Sequence, residues 1–272
     1  MKIPKKFGIW ITQQCPLRCT FCANSDQYYK SGKVMPLKTF KRKVNEIVES
    51  GVTVIDLTPI VGEVLTISNL HEYLDYMDSI PAITKYTFIS CLICSRKSID
   101  TIVDRPKLQL EISLYGTSTE TFKKRTNVSA FSTFYNNFKY LLSKYKNNNK
   151  IIIINRTPEI DGPLLNQDMP SGMRYLLGKC NIDEEWVTDR DNYIEEQKSG
   201  THYCHFMSEP LLTDNGICFC CMDWNQSNVI PGKITDMYGD SDKFISRIDS
   251  VSNTCNKKCG WYRPLDPKDL TS

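Results

Sequence analysis

The sequence predicts an α/β fold: a partial (β/α)6 TIM-type barrel, followed by a small C-terminal extension built on a β-hairpin and a helix. Three observations carry this expectation. Short apolar runs alternate with helical segments over residues 1–190, which implies parallel strands joined by right-handed crossovers. The repeats number six, too few for a closed eight-fold barrel. Near the end of the chain, Asp214-Asn215-Gly216 stands between two apolar runs, which is a hairpin signal.

The elements follow in order. Phe7–Thr12 is apolar and reads as a buried first strand. A helix spans Pro36–Glu49, because proline suits a first helical turn and Gly51 suits the exit. Thr53–Thr58 is the second strand and Ser68–Asp78 the second helix. Tyr86–Ser90 is the third strand, and Lys107–Leu114, ended by Gly116, is the fourth. A helix covers Phe131–Tyr145. Lys150–Asn155 holds an unbroken isoleucine run that fits a parallel sheet buried on both faces. Met173–Gly178 reads as a helix and Trp186-Val187 as the sixth strand. Asp189–Gly200 is charged and aperiodic, and is the linker. A barrel of residues 1–190 is therefore expected to precede an extension of residues 200–272, with a helix near Asp242–Ile248.

Composition narrows the function classes. A chain of 272 residues can bury a full core without staples. Its formal net charge of +3 is small for that length and excludes a long basic groove for nucleic acid. Lys38–Lys43 reads as the wet face of a helix. No secretory signal and no apolar run of ~18 residues is visible, so a soluble, cytoplasmic protein is expected. Twelve cysteines in a reducing compartment argue for metal or redox chemistry rather than disulfides. They gather in two clusters, one near the start and one from Cys204 to Cys259, which suggests two metal sites.

The first cluster is Cys15-Pro-Leu-Arg-Cys19-Thr-Phe-Cys22, directly behind the first strand. Three thiolates on a four-iron cluster leave one iron open, and an open metal position is what catalysis needs. A structural zinc knuckle is the plainer alternative. With Phe21 before Cys22, this C-x3-C-x-aromatic-C pattern resembles the radical S-adenosylmethionine (radical SAM) enzymes. The resemblance implies a [4Fe-4S] cluster on Cys15, Cys19 and Cys22, with S-adenosyl-L-methionine on its open iron. It also implies the partial barrel already expected.

Further residues follow from that resemblance. In parallel α/β folds ligands bind at the carboxyl ends of strands. Gly62-Glu63, after strand two, resembles the family's Gly-Gly-Glu motif, with Val61 where the first glycine would stand. Ser113 and Arg125 resemble the hydroxyl and guanidinium that meet the cofactor's carboxylate, for which a planar fork suits. Ser90 and Asn155 end strands three and five and are offered for the ribose; strand capping is the plainer reading of both. Phe21 joins this cofactor-binding set. The family's Thr-Asn-Gly after strand three is Ser90-Cys91-Leu92 here.

The second cluster resembles the SPASM/twitch extensions of the same enzymes, with Gly216, Cys221 and Asp223 matching their Gly-x4-Cys and following Asp. Counting thiols selects the one-cluster twitch form. Cys204, Cys221, Cys255 and Cys259 would ligate one auxiliary [4Fe-4S] cluster, with Cys220 or Cys218 able to replace Cys221. A zinc site on the same thiols is the alternative. The resemblance implies reductive cleavage of S-adenosylmethionine to a 5′-deoxyadenosyl radical that abstracts hydrogen from a substrate C–H bond. An electron donor such as flavodoxin or ferredoxin is the implied partner. Oxidation or epimerisation of a small polyol or amino sugar is the leading expectation, with Cys91 as a hydrogen donor in the second case. Peptide modification is the alternative, and a non-catalytic iron–sulfur carrier or zinc-stapled binding protein the third.

Overall fold

The computed structural model describes residues 6–20, 22, 32–59, 61–144, 150–156, 171–178, 180–183, 203–204, 210–218, 229–232, 234 and 264–265. Eleven strands and six α-helices are found among them. The strands are β1 (Lys6–Ile9), β2 (Val54–Asp56), β3 (Lys85–Ser90), β4 (Leu108–Leu114), β5 (Ile151–Asn155), β6 (Asn181–Asp183), β7 (Tyr203–Cys204), β8 (Leu211–Thr213), β9 (Gly216–Cys218), β10 (Val229–Ile230) and β11 (Pro264–Leu265). The helices are α1 (Leu37–Glu49), α2 (Leu70–Ser79), α3 (Arg96–Asp100), α4 (Thr119–Thr126), α5 (Phe131–Lys144) and α6 (Ser171–Leu177).

One sheet organises nearly everything, in the order β10-β9-β8-β1-β2-β3-β4-β5-β6. Strands β1 to β6 pair in parallel and in sequence, as strand–helix alternation demands. The sheet is open, which agrees with a partial barrel. The sixth strand is Asn181–Asp183, paired with β5, and not Trp186-Val187, which lies outside the described residues. The linker Asp189–Gly200 and the helix expected at Asp242–Ile248 lie outside them as well.

The hairpin forms where Asp-Asn-Gly placed it, with Leu211–Thr213 antiparallel to Gly216–Cys218. It does not make a sheet of its own. β8 pairs in parallel with β1, Gly8 opposite Leu211 and Ile9 opposite Leu212, so the hairpin extends the main sheet at its β1 edge. Gly8 permits that approach, since a Cβ there would run into the Leu211 side chain. β7 and β11 pair separately.

The faces of the sheet differ in chemistry because side chains alternate along each strand. One face carries Phe7, Ile9, Ile55, Tyr86, Phe88, Leu110, Ile112 and Ile153, all buried. They form one core with Phe40, Val44 and Ile47 of α1, Leu74 and Met77 of α2, and Phe134, Phe138 and Leu141 of α5. The other, inner face is mixed, with Val54, Ile89, Ile152 and Ile154 in its register beside a set of polar pairs. There Lys6 meets Asp56 at 3.2 Å, Thr87 donates to Glu111 at 3.1 Å, and Arg156 donates to Ser113 at 3.3 Å.

Helix α4 has little apolar periodicity and was not legible as an element. It is held by a capping box between Ser118 and Thr121 and ends on Asn127 in the left-handed conformation. The loop after β3 is held from α5, where the buried Asn137 donates Nδ2 to Leu92 O at 2.8 Å and to Cys94 O at 2.9 Å. Asn137→Ala orphans both carbonyls and is expected to lower unfolding free energy by about 2 kcal/mol, seen as a reduced urea midpoint at unchanged slope.

Candidate functional site

The cysteine loop leaves β1 at the carboxyl edge of the sheet and is pinned on three sides. Toward α1, Met35 N–H donates to Ile11 O at 2.8 Å and Gln13 N–H to Lys33 O at 2.7 Å. Toward the end of α4, Arg18 N–H reaches Thr126 O and Thr20 N–H reaches Arg125 O, both at 3.0 Å, while Asn127 Nδ2 donates to Arg18 O at 2.9 Å. Toward the segment after β2, Glu63 N–H donates to Gln14 O at 2.6 Å and Trp10 Nε1–H donates to Val61 O at 3.1 Å. Gly62 sits between with a φ of +150°, and a Cβ there would stand 2.5 Å from Thr12 O. Only glycine combines that backbone with that approach.

Glu63 is buried, and its carboxylate ties two loops together. Oε1 accepts from Leu65 N–H at 3.0 Å and Oε2 from Cys91 N–H at 2.7 Å. Burial pushes this carboxyl above its ordinary value, and the Cys91 and Leu65 donors oppose the shift. The Cys91 thiol and the Ser90 hydroxyl are further hydrogen-bond partners, so the acceptor capacity of the group is largely taken up within the protein.

Cys15, Cys19 and Cys22 share this one loop. Burial pushes the Cys15 thiol up to about 12. Burial pushes Cys19 up as well, reinforced by Cys22 and Cys15 and opposed by the Arg125 guanidinium. Among the described residues no three His, Cys, Asp or Glu side chains already form a metal-ligand group, so the thiols are neighbours without being drawn into a set. The surroundings nevertheless fit a thiolate-held, net anionic iron–sulfur cluster with a polar ligand. Cys15 and Cys22 both act electrostatically on Cys19, Arg125 lies beside it, and the buried Gln13 Oε1 finds no hydrogen-bond partner among the described residues.

The remaining expected residues divide by face. Ser113 lies on the inner face. Ser90 and Asn155 share the helix-facing register with Ile112 and Leu114, and both are buried. The Ser90 hydroxyl accepts from Leu92 N–H at 2.9 Å, the capping role that its position at a strand end permits. Cys91 is buried, and its thiol, raised by burial and by the neighbouring Glu63, is hydrogen-bonded to that carboxyl. Phe21, Cys221, Cys255 and Cys259 lie outside the described residues, and Cys204 is described only as part of β7.

Two inner-face residues escaped the sequence reading. Tyr115 follows β4, is hydrogen-bonded to Ser113, and is held above its ordinary value by burial and by the nearby Cys19 thiol. Arg156 follows β5. Strand alternation carried past Asn155 would have found it, because each second residue returns to the same face.

The comparisons with known proteins agree with this geometry. The sequence pattern of the Radical SAM superfamily matches residues 9–162, more than half of the chain. The chain belongs to the radical SAM superfamily. A stretch of 114 residues is 25% identical to a PqqA peptide cyclase of Bradyrhizobium diazoefficiens, covering 42% of this chain and 29% of that protein. The radical SAM chain thus matches less than a third of that relative. Among solved structures, Streptococcus suis SuiB is similar with a TM-score of 0.62 at 13% identity, over 97% of this chain and 77% of that one. BtrN, solved with AdoMet and 2-DOIA, is similar with a TM-score of 0.55 at 14% identity, over 94% of this chain and 89% of that one. At such identities these two likenesses show the shared fold. Among the described residues of the radical SAM chain, no helix is long and apolar enough to cross a membrane.

Glu111, on the inner face, supplies a pH test. Burial, then Asp56, push its carboxyl above 4.5, against the Thr87 hydroxyl, Lys6 and Arg156. A raised folded value means that stability falls as pH rises from the unfolded value through the folded one. Glu111→Gln removes that loss, so its melting temperature should exceed the parent's at pH 8, with the gap closing toward pH 4. Thermal melts across that range check this.

Proposed function

We propose that this protein is a radical SAM enzyme that opens a substrate C–H bond held over the inner face of the sheet. The observation that carries the reading is the cysteine loop pinned between β1, the Gly62-Glu63 segment and the end of α4. Cys15, Cys19 and Cys22 would hold a [4Fe-4S] cluster, with Gly62, Glu63, Ser113 and Arg125 around S-adenosylmethionine. When bound, that pair supplies a 5′-deoxyadenosyl radical, a strong hydrogen-atom abstractor.

The chain's own residues bind, orient and exclude water. Gly62 and the Trp10–Val61 hydrogen bond fix the loop after β2 against the cysteine loop. Arg125, at the carboxyl end of α4, sets a guanidinium beside Cys19 and suits a carboxylate. The helix-facing core keeps water from one side of the sheet, which concentrates polar recognition on the other.

The finer reading has two branches. Oxidation or epimerisation of a small polyol or amino sugar would use an auxiliary [4Fe-4S] cluster on Cys204, Cys221, Cys255 and Cys259, or a hydrogen atom from the protonated Cys91 thiol. Peptide modification is favoured by the sequence likeness to a PqqA peptide cyclase. An electron donor such as flavodoxin or ferredoxin would serve either branch.

Anaerobic reconstitution, iron and sulfide counting, and assay of 5′-deoxyadenosine after dithionite and S-adenosylmethionine test the proposal. About eight irons per chain are expected for two four-iron clusters, and about four for one. Cys19→Ala should lose about four irons and all deoxyadenosine formation. Full iron loading of the parent chain with no deoxyadenosine, across both polyol and peptide additions, would return the protein to an electron carrier.

A further inference from the structure

Arg156 has no task in the reading above. Its backbone N–H donates to Leu114 O at 2.9 Å, which continues the β4–β5 ladder one residue past Asn155. Alternation then brings its side chain to the inner face, where Nε donates to Ser113 Oγ at 3.3 Å. Among the described residues its two terminal nitrogens make no hydrogen bond, and no carboxylate pairs with it. Tyr115, hydrogen-bonded to Ser113, and Glu111, one alternation before Ser113, are its charged or polar neighbours. Glu111 Oε1 already accepts the Thr87 hydroxyl.

This arrangement has a definite chemistry. A guanidinium anchored through Nε presents its other edge as a fork that matches a planar two-oxygen anion. Ser113 accepts from Arg156 and is hydrogen-bonded to Tyr115, so it links the guanidinium and the phenol into one connected group. Glu111 acts on this half-buried cation only through space and, among the described residues, no carboxylate pairs with it directly, so its fork is open to an anionic ligand.

We propose that Arg156, oriented by Ser113 and lying beside Tyr115, binds a carboxylate of the substrate, so that the substrate is an amino acid or peptide acid group and not a neutral polyol. This rests on the radical SAM reading above and decides between its two branches. The cofactor's own carboxylate is given to another cation, because the guanidinium that acts on Cys19 is Arg125, while the groups that Arg156 acts on are Tyr115 and Glu111.

The test uses the reconstituted protein with its clusters and titrates glutarate and its uncharged diamide by calorimetry, with and without S-adenosylmethionine. Glutarate is expected to bind and the diamide not. Arg156→Gln should weaken glutarate about tenfold or more, and Arg156→Lys, which keeps the charge but loses the fork, should recover part of that. Equal glutarate affinity in the parent and Arg156→Gln, or none in the parent, overturns the proposal. Loss of S-adenosylmethionine affinity in Arg156→Gln overturns it too, by giving the guanidinium to the cofactor. Absence of deoxyadenosine from the iron-loaded parent sinks the radical SAM reading separately, since the glutarate titration involves no turnover.

Discussion

A carboxylate removed from water has to be solvated by the protein, and Glu63 makes the rest of the site depend on that requirement. Its oxygens draw the amides of Leu65 and Cys91 inward, and its own N–H is spent on Gln14. Three segments that follow β1, β2 and β3 are thereby held to one buried point. The thiol loop, the positive-φ Gly62 and the buried Cys91 keep their mutual positions because each is a neighbour of that group. Such a network stabilises only while every member is satisfied. The residue thus serves as a strut here.

The sheet adds a division of labour. Its helix-facing side is a continuous apolar core, and its inner side holds Lys6, Asp56, Thr87, Glu111, Ser113 and Arg156 in polar pairs. A closed barrel fills its interior with branched apolar layers. An open one has no need to, and its interior is free for recognition. The fold thus leaves a partly polar floor under the loop that carries the thiols.

Much of this was legible in the sequence where local chemistry and tertiary role coincide. The isoleucine run of β5, the alternating β4 and the Asp-Asn-Gly hairpin lie within a residue or so of their expected bounds, because burial on both faces and left-handed turn geometry each leave a strong local mark. Strand β6 left none. Asn-Ile-Asp is a strand only because β5 offers it an edge. Helix α4, with Lys-Lys-Arg at its end, shows a capping box more clearly than an apolar stripe. Within the site, the cysteine spacing and Gly62-Glu63 stood out. Arg156 and Tyr115 did not, since each follows the last apolar residue of its strand and looks like the start of a loop.

The parallel pairing of Gly8 with Leu211 and of Ile9 with Leu212 has a consequence for how the molecule is made. The outer edge of β1 stays uncovered until some two hundred residues later in the chain have been synthesised. Contacts of such sequence separation form slowly, and an unpaired strand edge invites association with other chains. For that interval the thiol loop hangs from a strand secured on one flank only. The nascent chain therefore passes through a stage in which its cysteines are most accessible and its first strand most adhesive, and arrival of the hairpin ends both conditions at once.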